Sequence, residues 1–353
     1  MEAVVRRTKI GLLIPRSGPA GIWSESCEAS AMLAVAEINA RGGILGRAID
    51  LVIGDCGATA EAAAIETASL VELDEVTAIV GMHPSDIRQS VMATLRGRVP
   101  YIYTPQHEGG DIGAGVLAIG DTAADLGRPG IAWLREHRGA SRFFLLGNDY
   151  VWPRVSLPKI RSIVQSLGGS VVGEQLLPFD TTDYEPIFDA IRRRRADTVI
   201  MLLLGLEGVR FHRAFVAAGL AGQVRRFALA TDETVLYALG PENVEGLLVA
   251  SSYFSTVRSA ANASFLESYH DCFGEAAPPP NAFGQSCYEG FHTLAAIANA
   301  NGYIGARVLH ASGMRRTRVR TARRQRPAIE MGERHVVHLA AADDFDFRVV
   351  ASY

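Results

Sequence analysis

Long apolar runs are missing from this 353-residue chain, and no stretch approaches the roughly 18 consecutive apolar residues that a membrane helix needs. Cysteine is scarce. The four present, Cys27, Cys56, Cys272 and Cys287, are widely spaced with no C-x-x-C pair, which argues against a zinc site or a thioredoxin-like motif. With nothing marking the chain as secreted, buried free thiols are expected, with two disulfides as the open alternative. A dominant charge is also lacking: 35 basic against 38 acidic residues leaves −3, so neither direct DNA binding nor a dedicated membrane-surface role is expected.

Catalytic signatures are missing too. There is no G-x-S-x-G elbow, H-E-x-x-H helix or G-x-x-x-x-G-K-[ST] loop. Pro15-Arg16-Ser17-Gly18-Pro19, after the first apolar run, has the wrong glycine spacing for a dinucleotide turn. The nine histidines do not cluster as metal ligands, so no metal or cofactor is expected. A secretory leader needs about 7–15 apolar residues, whereas Met1–Lys9 is followed only by Ile10–Ile14 before Pro15 and Arg16. That run reads as a buried strand and gives a cytoplasmic expectation, with a periplasmic address as the alternative if a leader was removed.

What is present is an ordinary globular composition, 48% hydrophobic and 21% charged, in a length that suits about two domains. Short apolar runs alternate with segments of helical period: Ile10–Ile14, Ile49–Ile53, Ala78–Val80 and Tyr101–Tyr103 as strands, with helices over Glu25–Ala40, Thr59–Glu72 and Asp86–Arg96. The beat restarts after Gly120. Strands are expected at Arg142–Leu146, Ser170–Gln175, Thr198–Leu203, Phe227–Ala230 and Leu247–Ser251. Helices are expected at Asp125–His137, Pro158–Leu167, Tyr184–Arg195, Gly208–Ala218, Ala261–Phe273 and Ser286–Ala300. This is an α/β pattern of two consecutive doubly wound, parallel units. His335–Leu339 and Phe345–Val350 read as a late hairpin with its turn at Ala341–Asp344. Between them and the last helix, Ala311–Arg326 holds seven arginines and reads as a solvated strand or loop, with a docking surface for an acidic partner or RNA as the alternative.

Open α/β sheets hold ligands past the carboxyl ends of their strands, and those positions here are polar and aromatic. They include Trp23 after the first strand, His83 and Ser85 after the third, and Tyr103, Thr104 and Pro105 at the fourth. The second unit offers Tyr150 and Trp152, then Glu207, then Thr231, Asp232 and Glu233. Ser85 opens a helix, where a hydroxyl and free N–H groups can grip a carbonyl or carboxylate oxygen, although a serine there is more often just an N-cap. Asp232 or Glu233 can accept from an amide or ammonium, and the aromatics can wall off water. A rival reading, amide hydrolysis with Glu207 or Glu233 as general base, lacks any accompanying nucleophile or metal set.

Gly11-Leu12-Leu13-Ile14-Pro15-Arg16-Ser17-Gly18-Pro19 and Ala34-Val35-Ala36-Glu37-Ile38-Asn39-Ala40-Arg41-Gly42-Gly43-Ile44-Leu45-Gly46-Arg47 closely resemble the opening of type I periplasmic binding proteins for branched-chain amino acids. Tyr103-Thr104-Pro105-Gln106-His107-Glu108-Gly109, Gly147-Asn148-Asp149-Tyr150-Val151-Trp152-Pro153-Arg154 and Ser251-Ser252-Tyr253-Phe254-Ser255 resemble the amide- and urea-binding branch, which includes transporter components and a cytoplasmic amide sensor that regulates amidase expression. The resemblance implies two Rossmann-like lobes joined by a three-segment hinge and closing on a ligand, with 1–120 and 252–330 forming lobe 1 and 121–251 and 331–353 forming lobe 2. It implies a small amide, urea or amino-acid-like ligand contacted by the residues above. It also implies a protein partner, an antitermination regulator or an ABC permease, and a possible homo-oligomer. The expected role is non-enzymatic: a cytoplasmic sensor first, a transporter's substrate-binding subunit second. Two departures stand out: Thr104-Pro105 is reversed relative to the branch, and His83 and His107 replace its usual tyrosines.

Overall fold

The computed structural model describes residues 7–110, 112–309, 317–323, 328–330 and 333–353. The chain divides into two compact units, residues 1–120 with 258–335 and residues 121–257 with 336–353. The divides at 257/258 and 335/336 fall a few residues beyond those expected at 251/252 and 330/331.

In the first unit the strands are β1 (Thr8–Ile14), β2 (Ile49–Asp55), β3 (Ala78–Gly81), β4 (Tyr101–Tyr103) and β5 (Val116–Ala118), in the order β2-β1-β3-β4-β5 and all parallel. Helices α1 (Ser24–Ala40), α2 (Ala60–Glu72) and α3 (Ser85–Leu95) connect them. Ile10, Leu12, Leu13 and Ile14 are fully buried, as a parallel strand covered on both faces requires. β1 turns out to β2 on one side, and the chain returns to β3 on its other side. The loops after β1 and β3 therefore diverge at a topological switch point, where such sheets leave a crevice.

The second unit repeats this plan. Strands β6 (Arg142–Asn148), β7 (Ser170–Leu177), β8 (Thr198–Leu202), β9 (Arg225–Ala228) and β10 (Leu247–Ser251) run parallel in the order β7-β6-β8-β9-β10. Helices α4 (Ala123–Arg138), α5 (Val151–Ser166), α6 (Glu185–Arg193), α7 (Leu206–Ala217) and α8 (Glu233–Leu239) intervene. The switch point lies between β6 and β8. Helices α9 (Ala260–Phe273) and α10 (Ala282–Asn301) return to the first unit, β11 (Arg318–Arg320) pairs with β12 (Ala328–Glu330), and β13 (His338–Asp343) with β14 (Asp346–Ser352) adds an antiparallel hairpin to the second sheet.

Local chemistry sets many of the boundaries. Thr59, Thr122, Asp232, Ser259 and Asn281 each accept an orphan N–H at a helix start. Gly139 closes α4 in the left-handed conformation, which glycine adopts at no steric cost.

Several expectations need correction. α5 starts at Val151, not Pro158: Pro153 lies in the first turn, where a missing N–H costs nothing. The helix then runs through Pro158 because Trp152, Ser156, Leu157 and Ile160 bury one face. β5 and α8 were not anticipated, and the late hairpin turns at Asp343–Asp346, where Asp344 takes positive φ. The arginine-rich segment is not simply solvated. Arg318 is exposed, but Arg320 Nε lies 3.2 Å from Glu37, and Arg323 is only 4% exposed. Arg323 donates to Gln285 and lies 3.5 Å from Glu289, which also accepts from Thr321 at 2.6 Å and meets His335 at 3.3 Å. Arg320 thus fastens the segment to α1, and Arg323 fastens it to α10. Arg315, Arg316, Arg324 and Arg326 lie outside the described residues. None of the four cysteines forms a disulfide; Cys27, Cys56 and Cys287 are buried and Cys272 is exposed.

Candidate functional site

At the first switch point, β3 ends at Gly81 and β4 at Tyr103, which brings His83, Ser85, Tyr101 and Tyr103 into one buried network. His83 Nδ1 lies 3.2 Å from the Pro84 carbonyl, so that nitrogen carries the proton and Nε2 accepts from the Tyr101 hydroxyl at 2.8 Å. Burial, with a smaller contribution from the Arg88 charge, lowers the His83 pKa to about 4, so the ring is neutral near pH 7. Tyr103 donates to the His83 carbonyl at 2.8 Å. Gly81 is required by this closeness: a Cβ there would sit 2.9 Å from His83 Nε2 and 2.9 Å from the Tyr101 ring.

Ser85, the first residue of α3, is hydrogen-bonded to both Tyr103 and Glu108. Arg88 lies one turn further along α3. It donates to Glu108 Oε2 at 2.8 Å, and its guanidinium lies 4.8 Å from the Tyr103 ring centroid. Arg88 and Glu108 are both under 9% exposed, so this is a buried ion pair that ties the loop after β4 to α3. Asp86 sits beside it, and burial, reinforced by the Glu108 charge, raises its pKa. Sequence reasoning did not single out Arg88, Asp86 or Glu108 as site residues. The only signal was their charge close to strand ends.

The other nominees of this unit fare unequally. Thr104 is fully buried, with its hydroxyl on the Gly81 carbonyl at 3.3 Å and 3.1 Å from Ser286. Pro105 is buried beside it. Trp23 is 1% exposed with its ring centroid 4.0 Å from that of Phe283, so it packs into the unit between α1 and α10.

In the second unit, β6, β8 and β9 deliver three groups to one sheet edge. Asn148 accepts from Leu204 N at 2.8 Å, which joins the ends of β6 and β8 across the switch point. Tyr150 follows in extended backbone, its ring 5.4 Å from Phe179 and 6.5 Å from Trp152, giving an aromatic wall. Glu207 is already committed to Arg210 at 2.8 Å, and Arg210 also holds Asp180 at 2.9 Å. Asp232 caps α8 through Val235 N at 3.1 Å, and Thr231 is buried next to it.

Glu233 differs from the other acids. It is 2% exposed; Oε1 accepts from Ser255 N at 2.6 Å, while Oε2 has no hydrogen-bond partner. Burial, then the neighbouring Asp232 charge, raises its pKa to about 8, so the carboxyl is mostly protonated near pH 7. A buried polar oxygen without a partner is costly; the protonated carboxyl can donate its O–H to a guest carbonyl and accept a guest N–H, and either bond would relieve that cost. Ser255 belongs to the motif Ser251–Ser255, and Ser252 Oγ from the same stretch reaches Asp121 at 2.5 Å.

With this geometry in place, the comparisons with known proteins are informative. The periplasmic binding protein family model matches residues 7–337, so the chain belongs to that family, whose members are non-enzymatic solute-binding proteins. The Leu/Ile/Val-binding protein homolog 6 of Brucella melitensis is 29% identical over 178 residues, covering 49% of this chain and 45% of that protein; the chain thus spans about half the length of the curated relatives it matches. A solute-binding protein of an ABC transporter from Rhodopseudomonas palustris HaA2, in complex with p-hydroxybenzoic acid, superimposes with a TM-score of 0.87 at 18% identity, covering 99% of this chain and 97% of that one. The substrate-binding protein of the Streptococcus pneumoniae branched-chain amino acid transporter, in complex with isoleucine, gives 0.81 at 20% identity over 98% and 99%. These likenesses establish the two-unit α/β fold of type I periplasmic binding proteins.

Proposed function

We propose that this protein is the substrate-binding component of an ABC uptake system for a small solute that carries N–H donors, a short amide or urea. A permease is then its protein partner and the periplasm its working compartment. This replaces the cytoplasmic sensor expected first: solved relatives are named as solute- or substrate-binding proteins of transporters, and the curated relative as a Leu/Ile/Val-binding protein. Among the described residues no helix is long and apolar enough to cross a membrane.

The observation that carries the ligand class is Glu233. Its Oε2 is buried, lacks a partner and belongs to a carboxyl that is mostly neutral near pH 7; such a group can give its O–H to a carbonyl and still accept an N–H, which suits an uncharged amide or urea. Tyr150 and Trp152 supply the apolar wall on the same sheet edge, and the amide-branch motifs Tyr103–Gly109 and Gly147–Arg154 favour the same reading. A branched-chain amino acid is the second reading, favoured by the curated relatives.

Calorimetric titration with acetamide, butyramide, urea, isoleucine and p-hydroxybenzoate tests the assignment. Amides or urea should bind, and Glu233→Ala should weaken them by about 1–3 kcal/mol, the cost of one buried hydrogen-bond partner. Binding of isoleucine alone would hand the protein to the second reading.

A further inference from the structure

We propose that Glu108 is a specificity-determining residue: its carboxylate occupies the anion seat of the first unit, beside Ser85 and Arg88, and thereby excludes solutes that carry a carboxylate. The inference rests on the solute-binding reading above and deepens it.

Ser85 opens α3, an eleven-residue helix whose first-turn N–H groups and dipole favour negative charge. Arg88, on the same helix, presents a planar fork suited to a carboxylate. Together they form a site for an anion. Here the anion is supplied by the chain itself: Glu108 takes the Arg88 bond at 2.8 Å and a hydrogen bond from Ser85. Its carboxyl is held below the usual range by Ser85 and Arg88 against the opposing effect of burial, so it stays charged at neutral pH. Arg88 nevertheless keeps Nε and NH1 without hydrogen-bond partners although both are buried, so the guanidinium is not saturated.

A buried ion pair is an expensive way to hold a loop, since the desolvation of both groups offsets much of their attraction. It does have an effect that an apolar pair would not. It cancels the Arg88 charge that would otherwise attract a guest carboxylate and places the Glu108 carboxylate against Ser85, with the Asp86 carboxyl close by. Like charges at a few ångströms in a buried setting repel strongly, whereas an uncharged carbonyl is accepted. Solved relatives of this fold hold benzoate, p-hydroxybenzoic acid and isoleucine, all of which bear a carboxyl group.

The test uses the whole chain and two variants. Glu108→Gln keeps the shape and one acceptor oxygen but leaves Arg88 without a counter-charge; Glu108→Ala removes the side chain and leaves room for a guest carboxylate. Titration with benzoate and isoleucine should show at least a tenfold gain in affinity over wild type in Glu108→Gln, while butyramide changes less than threefold. In Glu108→Ala, millimolar formate or benzoate should raise the melting temperature more than it does for wild type, even if that variant is poorly folded without the anion. Wild type that binds acetamide or urea and rejects acids, with neither variant gaining acids, overturns this inference alone. Wild type that binds carboxylates as tightly as amides overturns it together with the neutral-solute reading.

Discussion

Among the described residues the first unit buries carboxylates against cationic side chains: Glu108 meets Arg88, Glu289 meets Arg323 and His335, and the less buried Glu37 meets Arg320 and His292. The second unit buries two charged residue types without an opposite partner. Glu233 accepts from the Ser255 backbone, and fully buried Arg226 donates to the carbonyls of Asn243 and Glu245 at 2.8 and 2.7 Å, with NH1 3.0 Å from His212. Burial moves the two lone groups toward neutrality, Glu233 up to about 8 and Arg226 down to about 10. Paired charges are complete within the fold, so they position other groups. A lone carboxyl at a strand end keeps an atom available to a guest. The same residue type therefore serves as scaffold in one unit and as candidate contact in the other.

The sharpest way to break this comparison is to break a pair. Glu289→Ala leaves Arg323 buried without its carboxylate and should cost about 3–5 kcal/mol of stability, read from urea unfolding. A loss under about 1 kcal/mol would mean that Arg323 finds water or another partner, and that the first unit's pairs are not structural.

A second, somewhat smaller effect concerns the lone acid. The folded pKa of Glu233, about 8, lies above its unfolded value near 4.5. Between those two values the folded state holds more protons than the unfolded state, so stability is greatest below pH 4.5 and falls as pH rises through 8. The contribution is about 1.4 kcal/mol per pH unit inside that window. Glu233→Gln should flatten this slope between pH 5.5 and 7.5 relative to wild type in parallel urea titrations. Equal slopes in the two proteins would show that Glu233 is ionised in the fold, and would remove the distinction drawn here.

Much of the fold could be read from the chain because parallel strands buried on both faces appear as near-continuous apolar runs, and Thr59, Gly139 and Asn281 mark helix ends by chemistry that acts within a few residues. The readings that failed depend on what a segment packs against. α5 continues through Pro158 because its buried face outweighs one lost backbone bond, and Arg323 is buried because Glu289 and Gln285 await it on α10. The site follows the same division. Strand-end position nominated His83, Ser85, Tyr103, Tyr150 and Glu233 from spacing alone. That Glu207 is tied to Arg210, and Glu108 to Arg88, depends on side-chain distances that no local pattern encodes.

The smallest expected effect supplies the contrast that gives the larger ones meaning. Arg98 and Glu72 join the loop after α3 to the end of α2 at 3.1 Å, with side chains 46% and 58% exposed. Water already solvates both ions, and salt screens what attraction remains, so the pair offsets little desolvation and gains little Coulomb energy. Arg98→Ala should therefore shift stability by no more than about 0.5 kcal/mol after allowance for its backbone bonds to Leu95 and Thr94, and the shift should vanish in 0.5 M salt. If this exposed pair cost as much as Glu289→Ala, burial would not be what separates the charges of the two units, and Glu233 would lose its claim to be special on that ground.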